Sequence, residues 1–269
     1  MIEEIPDSMI DVKAFLFDIF ETTVSWRTTL TQELSSFATL TSTRCSPTQN
    51  LLNKNWHSFA QKWRNGYKAY INSTNSGIKP FLSVDSLNRQ LIEQLIVEFD
   101  IVHLWSDDEI ENLVNVWHKL DPYKDSVPGI TRLGKRYINA ALSNANVRLL
   151  VDLKRNTNLS FDYMFSAESW KCYIPNPKLY LGSCEMLDLD PEEVAVVSSN
   201  KNDLKNVRKL GLKTILVQRE EYEDEVTTEY GEKIDQEELE YTNGFGGQVN
   251  REFDLIINDL EELAKIMGC

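Results

Sequence analysis

The stretch Val12-Lys-Ala-Phe-Leu-Phe17 is apolar with almost no alternation and stops at Asp18, and this limits the architectures open to the chain. A strand that presents no polar face has to be covered on both sides, as a central strand of a parallel sheet flanked by helices is. Ligands of such sheets bind beyond the carboxyl ends of the strands, which would put Asp18 at the mouth of a site. Taken alone, an aspartate after a strand equally well starts a turn or caps a helix. Later segments have to decide between the two.

From residue 125 onward, helical periods alternate with short apolar runs, the pattern of parallel βα units. The expected order is a helix near 129–136, a strand at 137–142, a helix at 146–156 and a strand at 163–165. A helix at 177–187, a strand at 193–198, a helix at 203–210 closed by Gly211 and a strand at 213–217 follow, then a strand at 253–257 and a last helix carrying Leu260, Leu263, Ala264 and Met267. Between Thr22 and Tyr137 the pattern is almost wholly helical, so a helical unit is inserted after the first strand. Its expected helices span 50–71, ended by the polar run 72–77, then 88–99 and 109–120. Ser106 and Glu109 start the third with a capping box, in which each side chain accepts the other residue's amide. The acidic segment 220–250 has little apolar periodicity and reads as a solvated loop.

A formal charge of −14 argues against wrapping nucleic acid or lying on an anionic membrane, both of which need clustered Lys and Arg. No apolar run reaches membrane-spanning length, and the first residues lack the basic and apolar regions of a secretory signal. The four cysteines and three histidines form neither a zinc pattern nor a disulfide framework. A globular protein of the reducing cytoplasm, without metal or cofactor, is expected.

Four strand ends carry short polar clusters: Asp18 with Thr22; Ser143-Asn144; the run Tyr173-Ile174-Pro-Asn-Pro-Lys-Leu-Tyr180; and Ser198-Ser-Asn200-Lys-Asn-Asp203. Their order and spacing resemble the haloacid dehalogenase superfamily, most closely its type II, 2-haloacid dehalogenase-like branch. The resemblance implies a Rossmann-like parallel core, residues 1–25 and 126–269, and an all-helical cap, residues 26–125, inserted between the first and second motifs. It makes Asp18 a nucleophile with Thr22 as its hydroxyl partner, and has Ser143 and Asn144 hold the substrate carboxylate or the nucleophile. Tyr180, Ser198, Asn200 and Asp203 become the remaining polar ring, the last two positioning water. In the cap, Trp63-Arg64-Asn65-Gly66-Tyr67 resembles the segment whose arginine receives the departing halide. The implied substrate is a small 2-haloalkanoic acid, and the family admits a homodimer.

Phosphatases of the superfamily carry a second aspartate two residues after the nucleophile, where this chain has Phe20. A halide leaves without a proton and a haloacid brings no phosphate dianion, so an aromatic ring there suits dehalogenation without a metal. Two positions depart from the family pattern: Ile174 stands where a lysine is usual, and Glu21 where a glycine is usual. Loss of that lysine should raise the pKa of Asp18 while leaving it mostly ionised at neutral pH. The heavier expected loss is in charge stabilisation, unless Lys171 or Lys178 reaches back. Glu21 is expected to point to solvent. A catalytically impaired protein of the same fold that binds a ligand or partner is the alternative reading.

Overall fold

The computed structural model describes residues 5–43, 54–102, 105–219 and 252–269. Strand β1 (Ala14–Phe17) is followed by β2 (Val24–Ser25) and by four helices, α1 (Arg27–Ser42), α2 (Trp56–Asn75), α3 (Val84–Glu98) and α4 (Asp107–Val114). After β3 (Asp121–Pro122) come α5 (Ser126–Leu133), β4 (Ile138–Ser143), α6 (Val147–Thr157), β5 (Tyr163–Ser166), α7 (Ala167–Trp170) and α8 (Pro177–Leu187). The described chain then runs through β6 (Val194–Ser198), α9 (Lys201–Arg208), β7 (Lys213–Val217), β8 (Leu255–Ile257) and α10 (Leu260–Ile266).

Six strands form one sheet in the order β5-β4-β1-β6-β7-β8, and every neighbouring pair is parallel. This is the α/β, Rossmann-like sheet expected. All four residues of β1 are buried, as a strand without a polar face requires. Phe17 is level with Ala141 of β4 on one side and Val197 of β6 on the other. The chain lays strands outward on the β4 side first and on the β6 side afterwards. Asp18 therefore leaves the sheet where the strand order reverses, the usual place for a ligand crevice in open α/β sheets.

A two-stranded antiparallel ribbon joins the start and the end of the helical insertion, with Val24 opposite Pro122 and Ser25 opposite Asp121. Helices α1 to α4 lie between those strands in sequence and pack on an aromatic core that includes Phe59, Trp63 and Trp117, all fully buried. Beside the sheet, α5 and α10 meet so closely at Gly129 that a Cβ there would lie 2.5 Å from the Leu260 backbone.

Several element limits differ from expectation for local reasons. The helix expected at 50–71 begins at Trp56, where the Asn55 side chain accepts the Ser58 amide, and residues 50–53 lie outside the described residues. It also continues through the polar run to Asn75, where Ser73 and Thr74 satisfy their hydroxyls locally by donating back to the Ala69 and Tyr70 carbonyls. The capping box at Ser106 and Glu109 is present, yet α4 ends at Val114 and the chain tightens into a 3-10 turn, Asn115–Lys119. Helix α3 starts four residues before the expected 88, at the Ser83 cap. Helix α5 starts at Ser126, with Pro128 inside the first turn where a missing N–H costs little. The acidic segment expected as a loop falls within 220–251, outside the described residues.

Candidate active site

The turn after β1 is held by the backbone before any side chain acts. The amides of Thr22, Thr23 and Val24 all donate to the Ile19 carbonyl, and the Glu21 amide donates to Val24. This folds residues 19–24 back under Asp18 and places Glu21 in the left-handed region, at φ +67°. Asp18 Oδ1 accepts the Ile19 amide at 2.8 Å and Oδ2 accepts the Thr22 hydroxyl at 3.0 Å. Thr22 Oγ1 in turn accepts the Ser199 amide at 3.0 Å, and the Thr22 carbonyl accepts both Nε and Nη2 of Arg219. Arg219 is itself fixed by a bidentate pair with Asp125 at 2.8 and 2.9 Å. The carboxylate is thus oriented by a threonine that is anchored from two distant parts of the chain.

Burial raises Asp18 to about 7, and the nearby Asp203 charge adds to the rise. The Ile19 amide, the Thr22 hydroxyl and Arg64 oppose it without cancelling it. Asp203, at the start of α9, is raised to about 6 by burial against the opposing pull of Arg64 and Lys68. The expectation that Asp18 stays mostly ionised at neutral pH is therefore corrected. Desolvation is the largest cause of the rise, ahead of the Asp203 charge.

The other residues expected at the site occupy defined places. Arg64 lies on α2, buried, with its guanidinium 4.7 Å from the centre of the Tyr67 ring, 5.7 Å from that of Phe20 and 5.9 Å from that of Trp26. Phe20 meets Tyr67 and Trp117 edge to face, completing an aromatic cage. Tyr180 is buried close enough to Asp203 and Asp18 that their charges add to the effect of burial and push its phenol well above the usual range. Asn144 accepts the Ile174 amide at 2.7 Å and so holds the third polar segment against the second. Asp18, Phe20, Thr22, Arg64, Tyr180 and Asp203 converge. The side-chain oxygens of Ser143, Ser198 and Asn200 instead accept amides of their own loops, from Ala145, Asn200 and Asp203 among others.

One open point about charge is answered as favoured, and one expectation is corrected. Neither Lys171 nor Lys178 replaces the missing lysine: Lys171 places its ammonium over the Phe81 ring at 5.5 Å, and Lys178 is exposed. The second cation of the site is Lys68, one helical turn after Arg64. Its spacing was the available signal, because positions 64, 67 and 68 share one face of a helix. Glu21 does not point to solvent. It is buried, accepts the Trp26 indole N–H, and pairs with Arg64 at 3.3 Å and Lys68 at 3.9 Å. Burial opposes its ionisation, but Arg64 and Lys68 outweigh burial and hold Glu21 below the usual range. Among the described residues no group of three or more His, Cys, Asp or Glu is placed to hold a metal ion. No described helix is long and apolar enough to cross a membrane.

A family model described as haloacid dehalogenase-like hydrolase matches residues 12–211. The (S)-2-haloacid dehalogenase 4A of Burkholderia cepacia is 33% identical over 113 residues, 41% of this chain and 49% of that protein. The (S)-2-haloacid dehalogenase of Xanthobacter autotrophicus is 31% identical over 114 residues, 41% of this chain and 44% of its own. The matched stretch thus spans about half the length of these curated relatives or less. Among solved structures, an L-2-haloacid dehalogenase superposes with a TM-score of 0.77 at 30% identity, covering 95% of this chain and 99% of its own. A defluorinating L-2-haloacid dehalogenase gives a TM-score of 0.77 at 28% identity, covering 97% of each chain.

Proposed function

Because the chain belongs to the haloacid dehalogenase-like hydrolases, with residues 12–211 matching the family, we propose that it displaces halide from a small 2-haloalkanoic acid through an ester on Asp18. The reading takes 26–125 as a cap over a core of 1–25 and 126–269. The observation that carries it is the Asp18 carboxylate, oriented by Thr22 and the Ile19 amide beside a guanidinium in an aromatic cage.

In the first step an Asp18 oxygen attacks the carbon bearing the halogen, a C–O bond forms as the C–halogen bond breaks, and the configuration inverts. Arg64 stabilises the departing halide, and the caged rings keep water away from its charge. In the second step water attacks the Asp18 carbonyl carbon and loses a proton to Asp203. As the intermediate collapses, the bond from that carbon to the substrate oxygen breaks, Asp203 returns the proton to the departing oxygen, and the 2-hydroxy acid leaves with the Asp18 carboxylate restored. A carboxylate raised to about 6 is well matched to take that proton near neutrality. Asn200 and Tyr180 border the water and Phe20 packs against the substrate; Ser143, Asn144 and Ser198 shape the carboxylate end.

Single-turnover incubation with (S)-2-chloropropionate in oxygen-18 water tests this. Halide should appear, and the peptide containing Asp18 should gain label. Folded protein that releases no halide and takes up no label would instead favour a second reading, an impaired relative that binds without turning over. That reading rests on the Glu21–Arg64 pair and on Ile174.

A further inference from the structure

Arg64 is well placed to receive an anion, and an anion from the protein already sits on it. The Glu21 carboxylate reaches Arg64 Nη2 at 3.3 Å and lies within 3.9 Å of Lys68, with its other oxygen taking the Trp26 indole N–H. Glu21 is reached only by placing a side-chain-bearing residue at φ +67°, a conformation that glycine adopts freely and other residues adopt at a cost. A surface carboxylate would gain nothing from that cost. Here the strained position turns the side chain inward, into the cage of Phe20, Trp26 and Tyr67 that surrounds the guanidinium.

We propose that the Glu21 carboxylate is a built-in occupant of the Arg64 anion site, so that the protein as it stands retains no free halide there at equilibrium, a halide formed in the reaction being stabilised only in passing, and Glu21 sets how weakly the site holds a free anion. The proposal rests on reading Arg64 as the halide-receiving residue. A buried guanidinium needs a counter-charge, and removing one partner of a buried pair leaves the other uncompensated. An anion from solution then becomes the cheapest partner for Arg64. With Glu21 in place, an incoming halide meets a guanidinium already neutralised and, beyond it, the carboxyl groups of Asp18 and Asp203. Glu21 therefore tunes the affinity of the site for anions. It disfavours retention of a small free anion and makes release of a halide, once formed, the easy direction.

The test is equilibrium titration of the full chain with sodium bromide, followed through tryptophan fluorescence and thermal shift. Trp26 and Trp117 stack 6.2 Å apart and Trp63 meets Trp117 edge on, so these indoles report on the cage. Wild type should show only unsaturable quenching and no bromide-dependent stabilisation. Glu21→Gly, which suits the backbone, and Glu21→Gln, which keeps the shape, should gain a saturable site about ten- to a thousandfold tighter than any wild-type response. Chloride should compete, and adding Arg64→Met should abolish the site. Folded variants without saturable binding would overturn the proposal. So would wild-type protein that binds bromide saturably through Arg64, a measurement that stands even if neither variant folds. A gain of bromide binding with no oxygen-18 in Asp18 would leave this proposal standing while removing the dehalogenase reading.

Discussion

Ionisation of Asp18 couples the site to pH. The proposed nucleophile must be charged, and burial beside Asp203 raises it to about 7, so the rate should climb with pH through that value. The two carboxyl groups titrate as a pair, and the profile reports the pair. Ile174→Lys should raise the rate and move the midpoint to lower pH; an unchanged midpoint in stopped-flow halide release would place the side chain away from Asp18. Stability follows with the opposite sign. The folded value lies above the unfolded one, so the stability linked to the proton is complete below pH about 4 and is lost as pH rises through about 7. Asp18→Asn should therefore stabilise the protein at pH about 8, by an amount on the order of 2 kcal/mol in denaturant titration, and have little effect near pH about 4. Asp18, Thr22 and Arg64 could be found in the chain only jointly, from the order and spacing of the strand-end clusters and the resemblance they carry, since each neighbourhood alone also fits a turn or a surface helix. The orientation of Glu21 could not, because it depends on a guanidinium 43 positions away and on a backbone angle that residue type argues against.

At the scale of elements, what could be read from the chain is what local interactions decide. The capping box before α4 and the helix behind Pro177 appear as expected, because their signals lie within a few residues. Helix α1 was hidden within a broadly helical stretch, since its Thr and Ser content blurs any apolar stripe; Leu30, Leu34 and Ala38 are its buried line. The end of α4 could not be read, because the 3-10 turn that follows it is shaped by the burial of Trp117 and His118. Packing between elements gives a direct test at Gly129. A methyl group there would press on the Leu260 backbone at 2.5 Å and force α10 away from α5. Gly129→Ala should cost about 1–3 kcal/mol in chemical denaturation and leave halide release per folded molecule unchanged.

Across the whole molecule, the insertion and the sheet are linked through His118. Its Nε2 meets Asp85 of α3 at 3.0 Å and its Nδ1 meets Asp152 of α6 at 2.9 Å; Asn146 also binds Asp85, and Arg148 also binds Asp152. Burial favours the neutral ring, but the hydrogen bonds to Asp85 and Asp152 outweigh it and raise His118 above its usual value. The stability this adds is complete below pH about 6.5 and is lost as pH rises through the raised value. In an Asp18→Asn background, which removes the parallel effect at the site, the thermal midpoint should fall between pH about 6 and about 9. His118→Gln should flatten that fall, with a difference on the order of 1 kcal/mol; equal slopes would show that the bridge does not couple the two parts.

The anchoring of Thr22 also bears on how the protein is made. Its hydroxyl is fixed by an amide 177 positions further along, and its carbonyl by a guanidinium 197 positions further along. During synthesis, residue 18 precedes both strands that will flank its own, β4 and β6. Such long separations delay native contacts until most of the chain is available. The group proposed to react is made before the groups that hold its threonine partner, and it is put in order only once they have followed.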